Sequence, residues 1–462
     1  MAAAGGPGAL VTTLARAALR RALLAAGVLL PLLWVTLPVR RLAQLPQRAI
    51  IAGVILSALA TLVLRERPAR WTRDAWFLSI LLVAAVVRVW LAATQPYVHD
   101  EINTAIPLSQ TISFTPGSMN LPLRGENHPA LPAYVVKASG EFFGHTQSGY
   151  RMLSVLLGLG TIVLIYSLAA GSIDPVAARW AAALLAFNEY YLGVSARATA
   201  HVPHLLLVTI ALYSYGRFVR TQRPAFIYGA AAAVGLAFYA KEHAALLMVV
   251  FFVALLVTSQ RRWLRSPHPY LASLLFIVCI SPDLYWNVTT RSEVTANYAG
   301  ERVRVAKYSD HLRRFGGIAL SPYPAMFYAH PVASEAARLV TGSTPIEYTR
   351  EYRPLGPALG LVLVGAVVFT AVARRARDDL QRFLLIQFAF VFLFFSLIQP
   401  GDPPGRLDAA SWIWVETTSL SAVVLAGARL SELSGRRRLV SWGLVIALLA
   451  WSVFSTVLGA RG

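Results

Sequence analysis

The sequence predicts an all-α polytopic membrane protein, and three observations lead to that fold class. Hydrophobic residues make up 56% of the 462 residues and charged residues only 14%, whereas a typical soluble domain carries roughly 25% charged residues. The mean hydropathy of +0.57 is too apolar for a surface in contact with water. The chain also contains a series of apolar runs, and a helix needs about 20 such residues to cross a bilayer.

These apolar runs predict twelve or thirteen membrane helices. The first run contains Pro31, so it can either cross the membrane or lie in the interface. We divide the chain into N-terminal apolar helices (1–74), a transmembrane core with an outer loop at 95–151 (75–284), a second long loop (285–355) and C-terminal helices (356–462). The predicted spans are 22–38, 49–64, 75–94, 152–171, 177–194, 202–219, 225–240, 243–258, 269–284, 356–373, 383–398, 410–427 and 440–458.

The net charge of +20 is explained by membrane topology. In a soluble protein such a charge would suggest nucleic acid, but arginines collect in alternate connections here, as they do in cytoplasmic loops. Both long loops then fall on the outer side, and no nucleic-acid partner is expected. The single cysteine, Cys279, excludes an internal disulfide and a cysteine-based metal site. The cytoplasmic set includes Arg65, Arg67, Arg70, Arg73, Arg220, Arg223, Arg261, Arg262, Arg265, Arg374, Arg375, Arg377, Arg382, Arg429, Arg436, Arg437 and Arg438; only Arg40, Arg41 and Arg48 conflict with it.

Candidate chemistry lies at the outer boundary, directly after the span 75–94. The segment from Tyr97 through His99 to Asp100 and Glu101 places two acids and a histidine there, and Tyr97 and His99 are candidate substrate-binding residues. Asp100 could accept a proton from an incoming hydroxyl or amine, or it could simply cap the next helix. Farther along the same loop, His128 could contact a phosphate or sugar, or belong to a turn bounded by prolines.

Three cations stand out on the short outer connections, which otherwise carry few charges. Arg197, Lys241 and Arg406 could bind the phosphate of a lipid, or their side chains could reach the interface as ordinary helix-end residues do. Arg88 lies inside a predicted span, so it is either functional or paired with an acid of the first outer loop. His201 and His204 have the spacing of a metal-binding pair but lack an evident third ligand, so no metal site and no cofactor are predicted.

The order of these motifs resembles that of a known enzyme superfamily. The motifs are the Tyr97–Glu101 segment, His128-Pro129, the stretch 149–154 (GYRMLS), the stretch 157–160 (LGLG) and the hairpin that ends at Arg197. In this order they are similar to the GT-C membrane glycosyltransferases, in particular the superfamily of dolichyl-phosphate-mannose protein mannosyltransferases and lipid A aminoarabinose transferases. The resemblance covers about 75–260.

The resemblance implies a GT-C fold and an inverting transfer of a sugar from a polyprenyl-phosphate donor. The acceptor would be a protein, lipid or glycan on the extracytoplasmic side. The Arg- and Ala-rich composition favours a prokaryotic plasma membrane. Asp100 would act as base or orient the acceptor, and Glu101 would complete the acidic pair. Arg197 would match the family's arginine after the hairpin, while Lys241 and Arg406 are candidate contacts for the donor phosphate.

Some features depart from the family pattern. Ala130 stands where a second proline usually follows His-Pro, Leu407 stands where a tyrosine usually follows the late arginine, and two extra apolar segments precede the span 75–94. Two alternative functions also stay open. One is a transporter or flippase of a lipid-linked saccharide, and the other is a ligase of the O-antigen type with a diphosphate lipid donor.

Overall fold

The computed structural model describes most of the chain from residue 70 onward. The predicted spans 22–38 and 49–64 lie outside the described residues, as does most of the loop 285–355. The described residues are 70–98, 100–113, 115, 117–118, 120–123, 129–289, 295–298, 301–304, 327–328, 357–373, 378–397, 415–433 and 435–459.

Within these ranges the chain folds almost entirely into helices. Short helical segments of other pitch occupy Arg70–Arg73, Glu101–Ala105, Glu242–Ala245 and Ser259–Arg265. The α-helices are α1 (Ala75–Thr94), α2 (Ile106–Thr111), α3 (Leu131–Phe143), α4 (Gln147–Ser172), α5 (Pro175–Ala186), α6 (Glu189–Ser195), α7 (His201–Thr221), α8 (Ala225–Phe238), α9 (Leu246–Val257), α10 (His268–Thr289), α11 (Pro357–Val372), α12 (Asp379–Leu397), α13 (Thr418–Ser431) and α14 (Gly435–Gly459).

The predicted class of an all-α membrane protein is confirmed. Among the described residues, five helices are long and apolar enough to cross a membrane, namely α1, α4, α7, α12 and α14. A sixth span results if α9, together with its preceding turn, is joined to the bent segment Ser259–Arg265. The one sheet described is a two-stranded antiparallel pair in the predicted second loop, β1 (Thr295–Tyr298) and β2 (Glu301–Arg304), with Thr295 opposite Arg304.

The predicted span 177–194 is the clearest correction, because it forms two helices instead of one. The first, α5, ends at Ala186, and Asn188 starts α6 by accepting a hydrogen bond from the backbone N–H of Tyr191 at 3.0 Å. An asparagine side chain is a favourable helix N-cap, so it restarts the chain in a new direction. The apolar composition on both sides concealed this break.

Arg88 on α1 holds this break in place. Its guanidinium is fully buried and donates to Ser195 Oγ at 2.7 Å, to the Ala186 carbonyl at 2.9 Å and to the Ala84 carbonyl at 3.1 Å. The ring of Tyr191 lies 5.3 Å from the guanidinium carbon. Among the described residues of the first outer loop Arg88 therefore has no acidic partner; it donates instead to the Ala186 carbonyl at the end of α5 and to Ser195 at the end of α6.

The other end of α1 is anchored by Asp74. Its carboxylate caps α1 through the Phe77 N–H at 3.2 Å, and it also accepts hydrogen bonds from Tyr166 on α4 and Arg179 on α5. Burial alone would raise the pKa of Asp74, but these hydrogen bonds hold it below the usual value. The carboxylate is therefore charged at neutral pH and fastens three helices together.

The helices differ in how much of their surface meets lipid. Along α13 almost every residue is buried, whereas α1 and α14 expose large apolar side chains. Examples are Trp76, Leu82 and Val86 on α1 and Leu439 and Trp451 on α14. Because a bilayer solvates such side chains, α13 belongs to the centre of the bundle and α1 and α14 to its lipid-facing rim.

Gly427 allows α13 to approach α5 closely, and this contact can be tested. A methyl group at Gly427 would lie 2.4 Å from the Ala177 carbonyl oxygen, so Gly427→Ala is expected to lower stability by about 1–3 kcal/mol through overpacking. Gly443→Ala on exposed α14 is the control, since no atom lies within 4 Å of the added methyl. Thermal unfolding in detergent measures both, and equal midpoints for the two variants would contradict close packing at Gly427.

Candidate functional site

The segment after α1 carries the first predicted site residue, Asp100. It is half-buried and has helical backbone angles, and its side chain makes no capping hydrogen bond to the turn Glu101–Ala105. The alternative reading of Asp100 as a helix cap is therefore wrong. The carboxylate also interacts electrostatically with His201, at the start of α7. We call this end of the bundle, where α1 ends and α4 begins, the Asp100 end.

Glu101 points into the protein and forms a bidentate ion pair with Arg151 on α4. The Nε–Oε1 distance is 2.7 Å and the Nη2–Oε2 distance is 2.6 Å, and both side chains are fully buried. The carboxylate also accepts the Ala198 N–H at 2.7 Å and the Val98 N–H at 3.1 Å. Both oxygens are occupied in this way, so Glu101 ties the loop after α1 to α4 and to the segment after α6.

Arg151 extends this anchor to the end of α1. Its Nη1 donates to the carbonyls of Ala92 at 3.2 Å and Gln95 at 2.7 Å, and its Nη2 donates to Pro96 at 3.0 Å. The guanidinium carbon also lies 5.0 Å from the centre of the Tyr97 ring. Burial raises the pKa of Tyr97, so this predicted binding residue stays a neutral phenol beside Arg151.

Arg197 lies close to the same anchor. It follows α6, is 6% exposed, and precedes Ala198, whose N–H binds Glu101. The Glu101–Arg151 pair thus fixes the backbone on both sides, holding Asp100 on one segment and Arg197 on the other. The sequence predicted that these residues share one end of the bundle, and the contacts place their segments together.

A second buried group of polar residues surrounds Glu416, which was not among the predicted site residues. Lys241 Nζ lies 2.9 Å from Glu416 Oε1, and His201 Nδ1 lies 2.7 Å from Oε2. Tyr190 on α6 also donates its hydroxyl to Oε2, and Lys241 Nζ lies 2.8 Å from His201 Nδ1. Lys241 was predicted to meet a donor phosphate, whereas in this structure its charge is balanced by a buried carboxylate.

The sequence itself indicates that Glu416 is a candidate functional residue. It is an acid inside the predicted span 410–427, and an ionisable group within a membrane span marks a functional site by default. The same rule marked Arg88 as a candidate, and it applies equally to Glu416, which was not predicted as a site residue.

Two further histidines border the Glu416 carboxylate. His204, one turn after His201 on α7, is fully buried, and its Nε2 lies 3.9 Å from Glu416 Oε1. The rings of His204 and His243 have centroids 4.7 Å apart. One ligand atom from each of His204, His243 and Glu416 lies within 4.8 Å of the others, so these three residues could hold a metal ion.

The remaining predicted site residues cannot be placed. His99, His128 and Arg406 lie outside the described residues. The assignment of His99 and His128 to substrate binding and of Arg406 to the donor phosphate therefore stays a prediction.

Part of the chain matches a known family of glycosyltransferases. Residues 127–286 match the family model of dolichyl-phosphate-mannose-protein mannosyltransferases. This segment begins after Asp100 and includes Arg151, Arg197 and Lys241. None of the curated proteins compared matches the chain.

Two solved structures share the fold. The crystal structure of ArnT from Cupriavidus metallidurans bound to undecaprenyl phosphate has a TM-score of 0.58 and 19% sequence identity, and the match covers 80% of this chain and 63% of ArnT. The apo structure of the same protein gives a TM-score of 0.52 at 19% identity, with 80% and 61% covered. The chain thus spans less than two thirds of the length of ArnT. It has the fold of the GT-C membrane glycosyltransferases, and its predicted resemblance to that superfamily is confirmed.

Proposed function

We propose that this protein is an inverting glycosyltransferase that moves a sugar from a polyprenyl-phosphate donor to an acceptor on the extracytoplasmic side of a prokaryotic plasma membrane. The observation that carries the proposal is the arrangement at the Asp100 end. A half-buried carboxylate that caps no helix lies on one segment, a buried cation lies on another, and the Glu101–Arg151 pair joins the two segments. The family match and the ArnT-like fold support the same class of reaction.

In the proposed reaction Asp100 is the general base. It takes the proton of the acceptor hydroxyl while the acceptor oxygen forms a bond to the anomeric carbon of the sugar. The bond from that carbon to the phosphate oxygen breaks, and its electron pair stays on the lipid phosphate. Attack and departure on opposite faces invert the anomeric centre, as in inverting glycosidases.

The leaving phosphate gains negative charge, so a fixed cation beside it lowers the barrier. Arg197 is the proposed cation, because it is buried and held next to the Glu101 anchor. Lys241 could serve only after releasing Glu416, and Arg406 keeps its predicted role as a donor contact. Glu101 is assigned to positioning, since its oxygens already bind Arg151 and two backbone N–H groups.

Labelled donors test the proposal. Purified protein is incubated with radiolabelled polyprenyl-phosphate sugars and a membrane extract, and the labelled product is then identified. We expect label to move from a monophosphate donor to a protein, lipid or glycan. Transfer from diphosphate donors alone would favour the ligase alternative. Movement of intact donor across a vesicle membrane, without transfer, would favour the flippase.

A further inference from the structure

We propose that His204, His243 and Glu416 form a binding site for a divalent transition metal ion such as Zn²⁺. Their ligand atoms all lie within 4.8 Å of one another, although the residues come from α7, from the turn before α9 and from the segment before α13. Two imidazole nitrogens and one carboxylate oxygen are a donor set that zinc and its neighbours in the first transition series accept. This inference does not depend on the proposed function.

His204 is the strongest reason for the proposal. Its side chain is fully buried, yet neither ring nitrogen makes a well-formed hydrogen bond within the described part of the chain. The Ala237 backbone interacts with the ring, but it does not complete a hydrogen bond of good geometry to either nitrogen. A buried polar atom without a partner loses its hydration free energy and gains no hydrogen bond in exchange. A metal ion bound at Nε2 would compensate for this cost.

The distances require little rearrangement. Zinc binds imidazole nitrogen and carboxylate oxygen at about 2.0–2.2 Å, which places two ligands of a tetrahedral site about 3.4 Å apart. His204 Nε2 and Glu416 Oε1 are already 3.9 Å apart. Small side-chain rotations would close the site, and half-buried His243 leaves a path by which the ion and a fourth ligand, water, could enter.

The Glu416 carboxylate is also held in a suitable orientation. Its Oε2 accepts hydrogen bonds from Tyr190 and His201, which leaves Oε1 directed at His204 and Lys241. Such hydrogen bonds to the distal oxygen orient a ligating carboxylate and raise metal affinity.

Lys241 gives the proposal its sharpest consequence. Its ammonium contacts Glu416 Oε1, the same oxygen that would bind the metal. Two cations cannot share this oxygen at close range without strong repulsion, so a bound ion would displace Lys241. Removing the ammonium should therefore strengthen metal binding, whereas removing a ligand should abolish it.

Metal titration of the full chain tests this. Tag-free protein in detergent is titrated with Co²⁺ while the visible spectrum is recorded, and bound Zn²⁺ is measured by elemental analysis after dialysis. We expect about one ion per chain and the intense visible band of four-coordinate Co²⁺. The variant His204→Ala should bind more than about 100-fold more weakly, because loss of an outer partner of a ligand alone costs about 10–100-fold. Lys241→Met should bind at least about tenfold more tightly.

His145→Ala is the matched control, because His145 is 58% exposed, lies on the loop between α3 and α4, and is not one of the three residues whose ligand atoms lie within 4.8 Å of one another. It should bind metal as the wild type does. The site is refuted if the wild type binds no more metal than His204→Ala, or if His145→Ala loses binding equally. Should His204→Ala fail to fold, half-buried His243→Ala takes its place in the comparison, with the same expected loss.

Discussion

Replacing Asp100 with asparagine is expected to abolish sugar transfer while leaving the protein folded in the membrane. Asparagine keeps the shape of the side chain but cannot take a proton from the acceptor. Removal of a general base typically lowers turnover by about 10²–10⁴-fold. Because asparagine has nearly the same volume and no capping hydrogen bond of Asp100 is lost, the change should cost little stability. Transfer from a radiolabelled polyprenyl-phosphate sugar measures the rate, and the thermal midpoint in detergent measures folding.

Asp174→Asn is the matched control for this experiment. Asp174 caps α5, and asparagine also caps helices well. It follows the last turn of α4, about 30 Å along that helix from Arg151 and the Asp100 end. The control should therefore keep wild-type transfer. Near wild-type turnover of Asp100→Asn, with product inverted as before, would show that Asp100 is not the base.

The sequence predicted the helices well where hydropathy changes sharply at both ends. The span 75–94 coincides with α1, because Asp74 and Gln95 bracket a run that is apolar at nearly every position, with Arg88 its one charged residue. Hydropathy failed where a polar group interrupts the backbone without interrupting the apolar composition. Asn188 splits 177–194 into two helices, and within the described part of the predicted span 410–427, residues 415–427, the α-helix begins at Thr418.

The candidate site was predictable where its residues are close in sequence to a recognisable motif. Asp100 and Arg197 were selected in this way, and the structure brings their segments together through Glu101 and Ala198. The pairing of Lys241 with Glu416 was not predictable, because the two residues lie 175 positions apart in the sequence. Pairing over such a separation depends on how the helices pack, which no local pattern encodes.

Glu101→Gln is expected to destabilise the whole fold. This second experiment distinguishes the role of Glu101 from that of Asp100. In the wild type both carboxylate oxygens only accept hydrogen bonds, from Arg151 and from the N–H groups of Val98 and Ala198. The amide of glutamine must turn its own N–H groups toward one of these donors. It also leaves the buried Arg151 without its counter-charge, and breaking a buried ion pair on one side costs about 3–5 kcal/mol.

A chemically matched change elsewhere shows whether burial is the reason. Glu141→Gln removes an acid that is 51% exposed and pairs with Lys137 four residues earlier on α3. Such an exposed pair contributes about 0.2–0.5 kcal/mol to stability. The thermal midpoint of Glu141→Gln should therefore be close to that of the wild type. The midpoint of Glu101→Gln should fall well below that of Glu141→Gln. Equal midpoints for the two variants would show that the buried Glu101–Arg151 pair does not contribute to stability.

Activity then distinguishes positioning from catalysis. The Glu101 carboxylate joins the segment of Asp100 to that of Arg197, so its loss displaces the proposed base and the proposed cation together. Glu101→Gln should therefore lose stability and transfer in parallel, whereas Asp100→Asn should lose transfer alone. The double variant Glu101→Gln with Arg151→Met removes both buried charges and should regain part of the lost stability. It should not regain transfer, because the two segments are no longer held together.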